Sequence, residues 1–105
     1  MTPTQASAAA MERVRRHRDQ LVDVLEKYQA TEPMIFGSVA RGDATAESDV
    51  DVMVTLTSDH VNPWMQLAGL AEEFSVVLGM RVDVVALPHL RPEVTRQAFK
   101  EAVPL

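Results

Sequence analysis

The chain has 105 residues, 47% of them hydrophobic and 24% charged, with a formal net charge of −5 at pH 7. These values are typical of one globular domain, and no stretch has the roughly 20 apolar residues of a membrane-spanning helix. The negative charge opposes non-specific nucleic-acid binding, and the absence of cysteine excludes disulfides and thiolate chemistry. We therefore expect a cytoplasmic domain without a membrane contact or direct nucleic-acid binding.

The N-terminal quarter of the chain predicts a flexible leader followed by one helix. The alanine-rich part (residues 6–10) precedes the basic part (residues 13–18). This order is the reverse of a secretory signal, so we predict no targeting segment. From Met11 to Tyr28 the apolar residues keep helical spacing, and Pro33 predicts that the helix ends before it. Four arginines indicate a solvated helix face, with contacts to a nucleotide or an acidic partner as the alternative: Arg13, Arg15, Arg16 and Arg18.

The central stretch, residues 34–54, predicts two strands joined by a short helical turn. Met34–Phe36 is an apolar strand that ends in Gly37-Ser38, and a helical segment runs from Ser38 to about Gly42. The second strand alternates from residue 49 to residue 54. Because residues two apart on a strand share a face, Asp49 and Asp51 lie together, opposite Val50, Val52 and Val54.

The C-terminal half predicts a helix, a third strand and a last helix. After a loop over 58–62, Asn62 is the expected N-cap, Pro63 the first helical residue and Gly79 the stop. The apolar stripe of this helix consists of Trp64, Leu67, Leu70, Ala71, Phe74, Val77 and Leu78. The strand over 81–86 carries Asp83 opposite Val82, Val84 and Ala86. After a connection over 87–92, we predict a helix from Pro92 whose core-facing residues are Val94, Ala98 and Phe99.

This order of elements predicts the fold class. Strands that alternate with helices favour an α/β (α+β) domain, a small mixed sheet of three or more strands flanked by helices. We expect the sheet to be mixed because the connection between the two central strands is short, and the sequence does not fix the strand order. We assign this domain to residues 11–105.

Three aspartates are the candidate catalytic residues and metal ligands. If the strand of Asp83 neighbours that of Asp49 and Asp51, all three carboxylates share one face. Oxygen ligands favour Mg²⁺, and two ions about 3.5–4 Å apart serve phosphoryl and nucleotidyl transfer. Asp83 is also the candidate to deprotonate an attacking hydroxyl. Taken singly, an Asp-x-Asp is more often a solvated strand edge, and Asp83 alone fits a structural acid paired with Arg81.

Gly37, Ser38 and Arg41 are the candidate nucleotide-binding residues. Glycine permits close backbone approach or positive φ, and the first turn of the helical segment at Ser38 offers free N–H groups to an anion. Arg41 fits a phosphate oxygen, or equally Asp43 or Glu47. The histidines show no metal-ligand spacing, so we expect surface positions for His17, His60 and His89.

At this point the residues resemble a known family. Gly37-Ser38, the ten residues 39–48 and Asp49-Val50-Asp51 are similar to the G-S-x10-D-x-D signature of the DNA polymerase β-like nucleotidyltransferases. With its G-S-x-A-R-G and S-D-x-D elements, the stretch resembles the minimal nucleotidyltransferases (MNT), whose third acid corresponds to Asp83. The resemblance implies metal binding by Asp49, Asp51 and Asp83, and phosphate binding by Gly37 and Ser38.

The same resemblance implies a function and a partner. MNT proteins are typically encoded beside an all-helical HEPN toxin, usually an RNase, for which they are the antitoxin. The implied reaction is Mg²⁺-dependent transfer of AMP from the substrate ATP to a tyrosine of the HEPN partner. One alternative is an antitoxin that occludes the toxin by binding alone. Another is nucleotidyl transfer to a small molecule, against which the missing acceptor domain argues.

Overall fold

A computed structural model describes residues 2–57, 62–87 and 92–105, apart from the side chains of residues 87, 94, 95 and 97. Its helices are α1 (Gln5–Arg16), α2 (Arg18–Lys27), α3 (Gly37–Arg41), α4 (Pro63–Leu78) and α5 (Pro92–Glu101). Its strands are β1 (Ala30–Phe36), β2 (Val50–Leu56), β3 (Val82–Leu87) and β4 (Val103–Pro104). Most of the predicted loop before Asn62 and of the connection before Pro92, with His60, His89 and the side chain of Val94, lie outside the described residues.

The strands form one mixed sheet in the order β3-β2-β1-β4, which confirms the predicted fold class. Strand β1 is antiparallel to β2 and to β4, whereas β2 and β3 are parallel. The sequence did not predict β4, which pairs Val103 with Ile35 and Pro104 with Met34. A two-residue strand has no periodicity, and proline is tolerated because this strand is at the edge of the sheet.

The valine face of β2 is the centre of the core. Val50, Val52 and Val54 are at most 1% exposed, and they cluster with Ile35 and with the buried residues of α4. Asn62 caps α4 by accepting a hydrogen bond from the Met65 N–H, and Gly79 ends the helix in the left-handed region. The predicted faces of β2 and the predicted ends of α4 are therefore confirmed.

Two predicted core residues are on the surface instead. Trp64 is 65% exposed and Phe99 is 49% exposed. At about 100° per residue, Trp64 lies about 80° from Phe74 around the α4 axis, so it is at the margin of the buried stripe. Phe99 follows Ala98, which is buried, and one residue along a helix turns the side chain by about 100°, away from the core.

Residues 5–10 are helical, which corrects the prediction of a flexible leader over residues 1–10. Helix α1 begins at Gln5, and the Thr4 side chain caps it by accepting from the Ser7 N–H. Thr4 Oγ1 also donates to the Ala44 carbonyl at 2.7 Å, and buried Ser7 Oγ accepts from the Ala44 N–H at 2.9 Å. The segment packs through alanine and serine, small residues that carry little hydrophobic signal in the sequence.

The predicted single helix over 11–28 is two helices, α1 and α2, which meet at His17. This residue leaves helical geometry (φ −106°, ψ 15°), and its Nδ1 lies 2.9 Å from the Arg13 carbonyl oxygen. Arg13 Nη1 donates to the Leu78 carbonyl at the end of α4 (2.8 Å), a structural contact that neither interpretation of the basic block included. None of the helices in the described ranges is long and apolar enough to span a membrane.

Helices α2 and α4 are joined by a polar cluster around Tyr28. The Tyr28 hydroxyl donates to Glu73, whose carboxylate also pairs with Lys27 Nζ at 2.9 Å. A Cβ at Gly69 would lie 2.8–3.1 Å from three ring-end atoms of Tyr28. The ring cannot move without disturbing the bond to Glu73, so Gly69 is the residue that permits this contact.

We expect Gly69→Ala to lower the free energy of unfolding by about 1–2 kcal/mol, because the overlap with Tyr28 exceeds the helix propensity gained by alanine. Urea denaturation measures the change. In a Tyr28→Ala background the same substitution should raise stability by about 0.5–1 kcal/mol, since only the propensity term remains. Equal effects in both backgrounds would contradict the role of the Tyr28 contact.

Candidate active site

Asp51 and Asp83 are neighbours on the sheet face opposite the valine core. The parallel β2–β3 ladder pairs Asp51 with Asp83 directly, between the pairs Val50–Val82 and Val52–Val84. Paired residues on adjacent strands point to the same face and have backbones about 4.8 Å apart. The structure therefore brings these two predicted site residues together, with Asp51 half-buried and Asp83 exposed.

The surroundings of Asp51 disfavour its negative charge. Burial, and then the charges of Asp83 and Asp49, raise the pKa of Asp51 to about 6, while the charge of Arg41 opposes this shift. Desolvation and like charges both favour the neutral acid. A cation between the carboxylates would relieve both effects, so this face is suited to binding one.

This pKa makes the stability of the metal-free chain depend on pH. Because the folded-state pKa of Asp51 lies above its unfolded value, its contribution is fully present below about pH 4 and is lost as pH rises through about 6. We expect the free energy of unfolding in EDTA to rise by about 1 kcal/mol from pH 7 to pH 5, allowing for solvent screening. Denaturation of the wild type and Asp51→Asn at both values measures it, and an equal pH dependence in the variant would refute the assignment.

Asp49 is held differently from the other two acids. It lies just before β2, and its Oδ1 atom is 3.0 Å from Arg81 Nε. That oxygen is buried and makes no hydrogen bond. The alternative interpretation of Asp83, a structural acid paired with Arg81, is not what the structure has: Arg81 pairs with Asp49, and no ion pair of Asp83 is found within the described ranges. The sequence did not predict the pair of Arg81 with Asp49, because the two residues are far apart in the chain and only the pairing of β2 with β3 brings them together.

The three acids fit a divalent cation by the chemistry of their oxygen donors, and the register of the sheet aligns two of them, Asp51 and Asp83. Carboxylate oxygens are the ligands that Mg²⁺ and Mn²⁺ prefer, and the buried Asp49 Oδ1 lacks a hydrogen bond. In the part of the chain that the structure describes, no three acidic or histidine side chains are already grouped as a metal site. The pair Asp51–Asp83 is assembled, whereas Asp49 is engaged by Arg81.

Gly37 and Ser38 lie beside the acids, as the start of α3. Phe36, the last residue of β1, pairs with Asp51 across the ladder, and Gly37 then turns the chain with a φ of 73°. A Cβ on Gly37 would overlap Asp51 Oδ2 and lie 3.1 Å from its Cγ. Only glycine fits here, and the first turn of α3 is consequently next to the Asp51 carboxylate.

Arg41, at the end of α3, is occupied by acidic side chains. Its Nε lies 3.2 Å from Asp43 Oδ2 and its Nη1 lies 3.1 Å from Glu101 Oε2 on α5. Asp43 is one of the partners that the sequence predicts, and Glu101 is not, because 60 residues separate it from Arg41. A phosphate bound by Arg41 would share the guanidinium with these two carboxylates, whose negative charges oppose it.

The fold and the site define a class of protein. The parts of a nucleotidyltransferase are present: a Gly-Ser turn that opens a short helix, an Asp-x-Asp at the start of the next strand and a third acid on its parallel neighbour. Strand β2 begins at Val50, one residue later than predicted, so Asp49 precedes it. The family described as "Polymerase beta, Nucleotidyltransferase" matches residues 19–105. The chain belongs to this nucleotidyltransferase family and to its minimal branch, which confirms the resemblance and the enzyme class expected from the sequence.

Relatives and solved structures agree with this placement. A candidate protein adenylyltransferase of Methanocaldococcus jannaschii is 30% identical over 84% of this chain and 85% of its own length. The protein adenylyltransferase MntA of Thermococcus cleftensis is 30% identical over 77% of this chain and 80% of its own. A solved structure described as a candidate minimal nucleotidyltransferase is 33% identical, has a TM-score of 0.75 and covers 90% of this chain and 94% of its own.

A toxin–antitoxin structure shares the fold at lower identity. It contains a tri-AMPylated HEPN toxin of Shewanella oneidensis in complex with an MNT antitoxin. The similarity covers 86% of this chain and 69% of the matched chain, with a TM-score of 0.64 and 17% identity.

Proposed function

We propose that this protein is a Mg²⁺-dependent protein adenylyltransferase that transfers AMP from ATP to a tyrosine of a HEPN toxin, and so acts as its antitoxin in the cytoplasm. The observation that carries the proposal is the register that sets Asp51 against Asp83, beside the Gly37–Ser38 turn. The relative named protein adenylyltransferase MntA and the AMPylated HEPN complex support the choice of reaction and partner.

In this proposal the acids bind the metal and the Gly-Ser turn binds the phosphates of ATP. Asp49, Asp51 and Asp83 hold Mg²⁺, two ions of which would neutralise the triphosphate and polarise its α-phosphate. The N–H groups of Gly37 and Ser38, with the Ser38 hydroxyl, donate to phosphate oxygens at the start of α3. Most of the catalytic effect then comes from positioning and charge neutralisation.

The acceptor reaches Asp83 from solvent. Asp83 is exposed on β3, an edge strand of the described sheet, so a side chain of a second protein can approach it. Asp83 takes the proton from the tyrosine hydroxyl while the phenolic oxygen forms a bond to the α-phosphorus. The bond from that phosphorus to the bridging oxygen breaks, and pyrophosphate leaves with both electrons of the bond.

The test is the intact mass of a HEPN-domain protein from the same organism after incubation with this chain, ATP and Mg²⁺. We expect a gain of one or more AMP units that is lost in EDTA and after tyrosine-to-phenylalanine substitution in the partner. Incubation of the chain alone with ATP controls for self-modification. An unmodified partner in a stable complex would favour neutralisation by occlusion and refute the enzymatic proposal.

A further inference from the structure

We propose that Arg81 is a positioning residue that holds the Asp49 carboxylate in the place of a metal ion and must release it when the metal binds. This inference rests on the metal site of the proposed function. It assigns to Arg81 control over how tightly that site binds its cation.

Arg81 makes three contacts with the segment that carries Asp49. Its Nε lies 3.0 Å from Asp49 Oδ1, and its Nη2 donates to the Glu47 carbonyl at 2.7 Å. Its own carbonyl accepts from the Val50 N–H at 3.0 Å. The guanidinium therefore reaches from the residue before β3 to the residues before β2. It engages Asp49, the one of the three acids that lies outside the β2–β3 ladder.

The ion pair has the properties of an exchangeable one. The Arg81 side chain is 74% exposed and that of Asp49 is 44% exposed, so the guanidinium can move into solvent once its hydrogen bond to the Glu47 carbonyl breaks. Asp49 Oδ1 lies 3.0 Å from Arg81 Nε but makes no hydrogen bond, so charge attraction alone holds it there and a divalent cation can replace the guanidinium.

The exchange follows from charge. The negative charges of Asp83 and Asp49 act on Asp51. In the chain without metal, a positive charge beside Asp49 reduces this repulsion and so stabilises the acid cluster. A guanidinium and a divalent cation on the same carboxylate repel each other, so Arg81 lowers the affinity of the site for metal.

Mn²⁺ titration by calorimetry, without nucleotide or acceptor, tests the proposal. We expect Arg81→Gln to bind Mn²⁺ roughly 3–10-fold more tightly than the wild type, because the competing charge is gone. Arg81→Lys keeps the charge but not both guanidinium contacts, so its affinity should lie between those of the wild type and Arg81→Gln. Arg16→Gln breaks an exposed ion pair with Glu12 and is the matched control for charge, with unchanged affinity.

Every result of this titration decides the proposal. Equal or weaker Mn²⁺ binding by Arg81→Gln, or no binding by either protein, overturns it. If Arg81→Gln does not fold, as judged by circular dichroism, Arg81→Met retains the aliphatic stem and removes the charge, and the same criterion applies. The titration contains no ATP, so it does not depend on AMP transfer. If the wild type fails to transfer AMP in a separate experiment, the proposed function is refuted, but the measured effect of Arg81 on Mn²⁺ affinity is unaffected.

Discussion

Asp51→Asn is expected to lower AMP transfer to the partner by about 10³-fold or more while leaving the metal-free chain folded. Asp51 is central to the site, since it pairs with Asp83 across the ladder and its carboxylate lies against Gly37. The amide removes one of the negative charges that would hold the cation, yet it is nearly the same size and relieves the repulsion within the acid cluster. Loss of activity should therefore come with unchanged or slightly increased stability.

Intact mass of the partner and thermal denaturation of the variant, both measured on the same preparation, check this expectation. Asp23→Asn is the matched control, because it makes the same chemical change at an exposed residue of α2 and should retain full transfer. Undiminished transfer by Asp51→Asn would refute its role at the metal. A loss explained by unfolding would show instead that the carboxylate is structural.

Protection from the toxin separates catalysis from occlusion. If this protein neutralises a toxin by AMP transfer, as proposed, Asp51→Asn at equal expression should fail to protect cells. Protection by the inactive variant, with a complex of the same stability, would mean that binding alone neutralises the toxin.

Gly37→Ala is expected to remove activity and to lower the free energy of unfolding by about 2–3 kcal/mol. Two costs combine at this residue. Its φ of 73° is in the left-handed region that alanine disfavours, and its added Cβ would overlap Asp51 Oδ2. Strand pairing of Phe36 with Asp51 fixes both sides of the contact, so the overlap displaces the carboxylate or opens the start of α3.

Gly79→Ala separates the two costs. Gly79 has a similar φ of 66°, but its Cβ would meet only Arg13 Nη1, at 3.1 Å, which is the end of a flexible side chain. We expect it to lose about 1 kcal/mol from backbone strain and to keep its activity. Urea denaturation of both variants gives the comparison. In an Asp51→Ala background the penalty of Gly37→Ala should fall toward that of Gly79→Ala, and an unchanged penalty would contradict the proposed overlap.

The sequence by itself determined the features that depend on near neighbours. The Gly37–Ser38 turn, the shared face of Val50, Val52 and Val54 and the ends of α4 follow from contacts within a few residues, and the structure has them all. The family resemblance could also be found from the sequence, because its central signature is one continuous stretch, residues 37–54.

Only the tertiary structure decided the features that join distant parts of the chain. The alignment of Asp51 with Asp83, the pairing of Arg41 with Glu101 and the addition of β4 all depend on strand order and register. The same holds for Arg81, which contacts Asp49, just before the neighbouring strand, rather than Asp83, two residues away in the sequence. Periodicity shows which face a side chain occupies, but the position of one strand along another is set by packing of the whole core, and no local pattern encodes it.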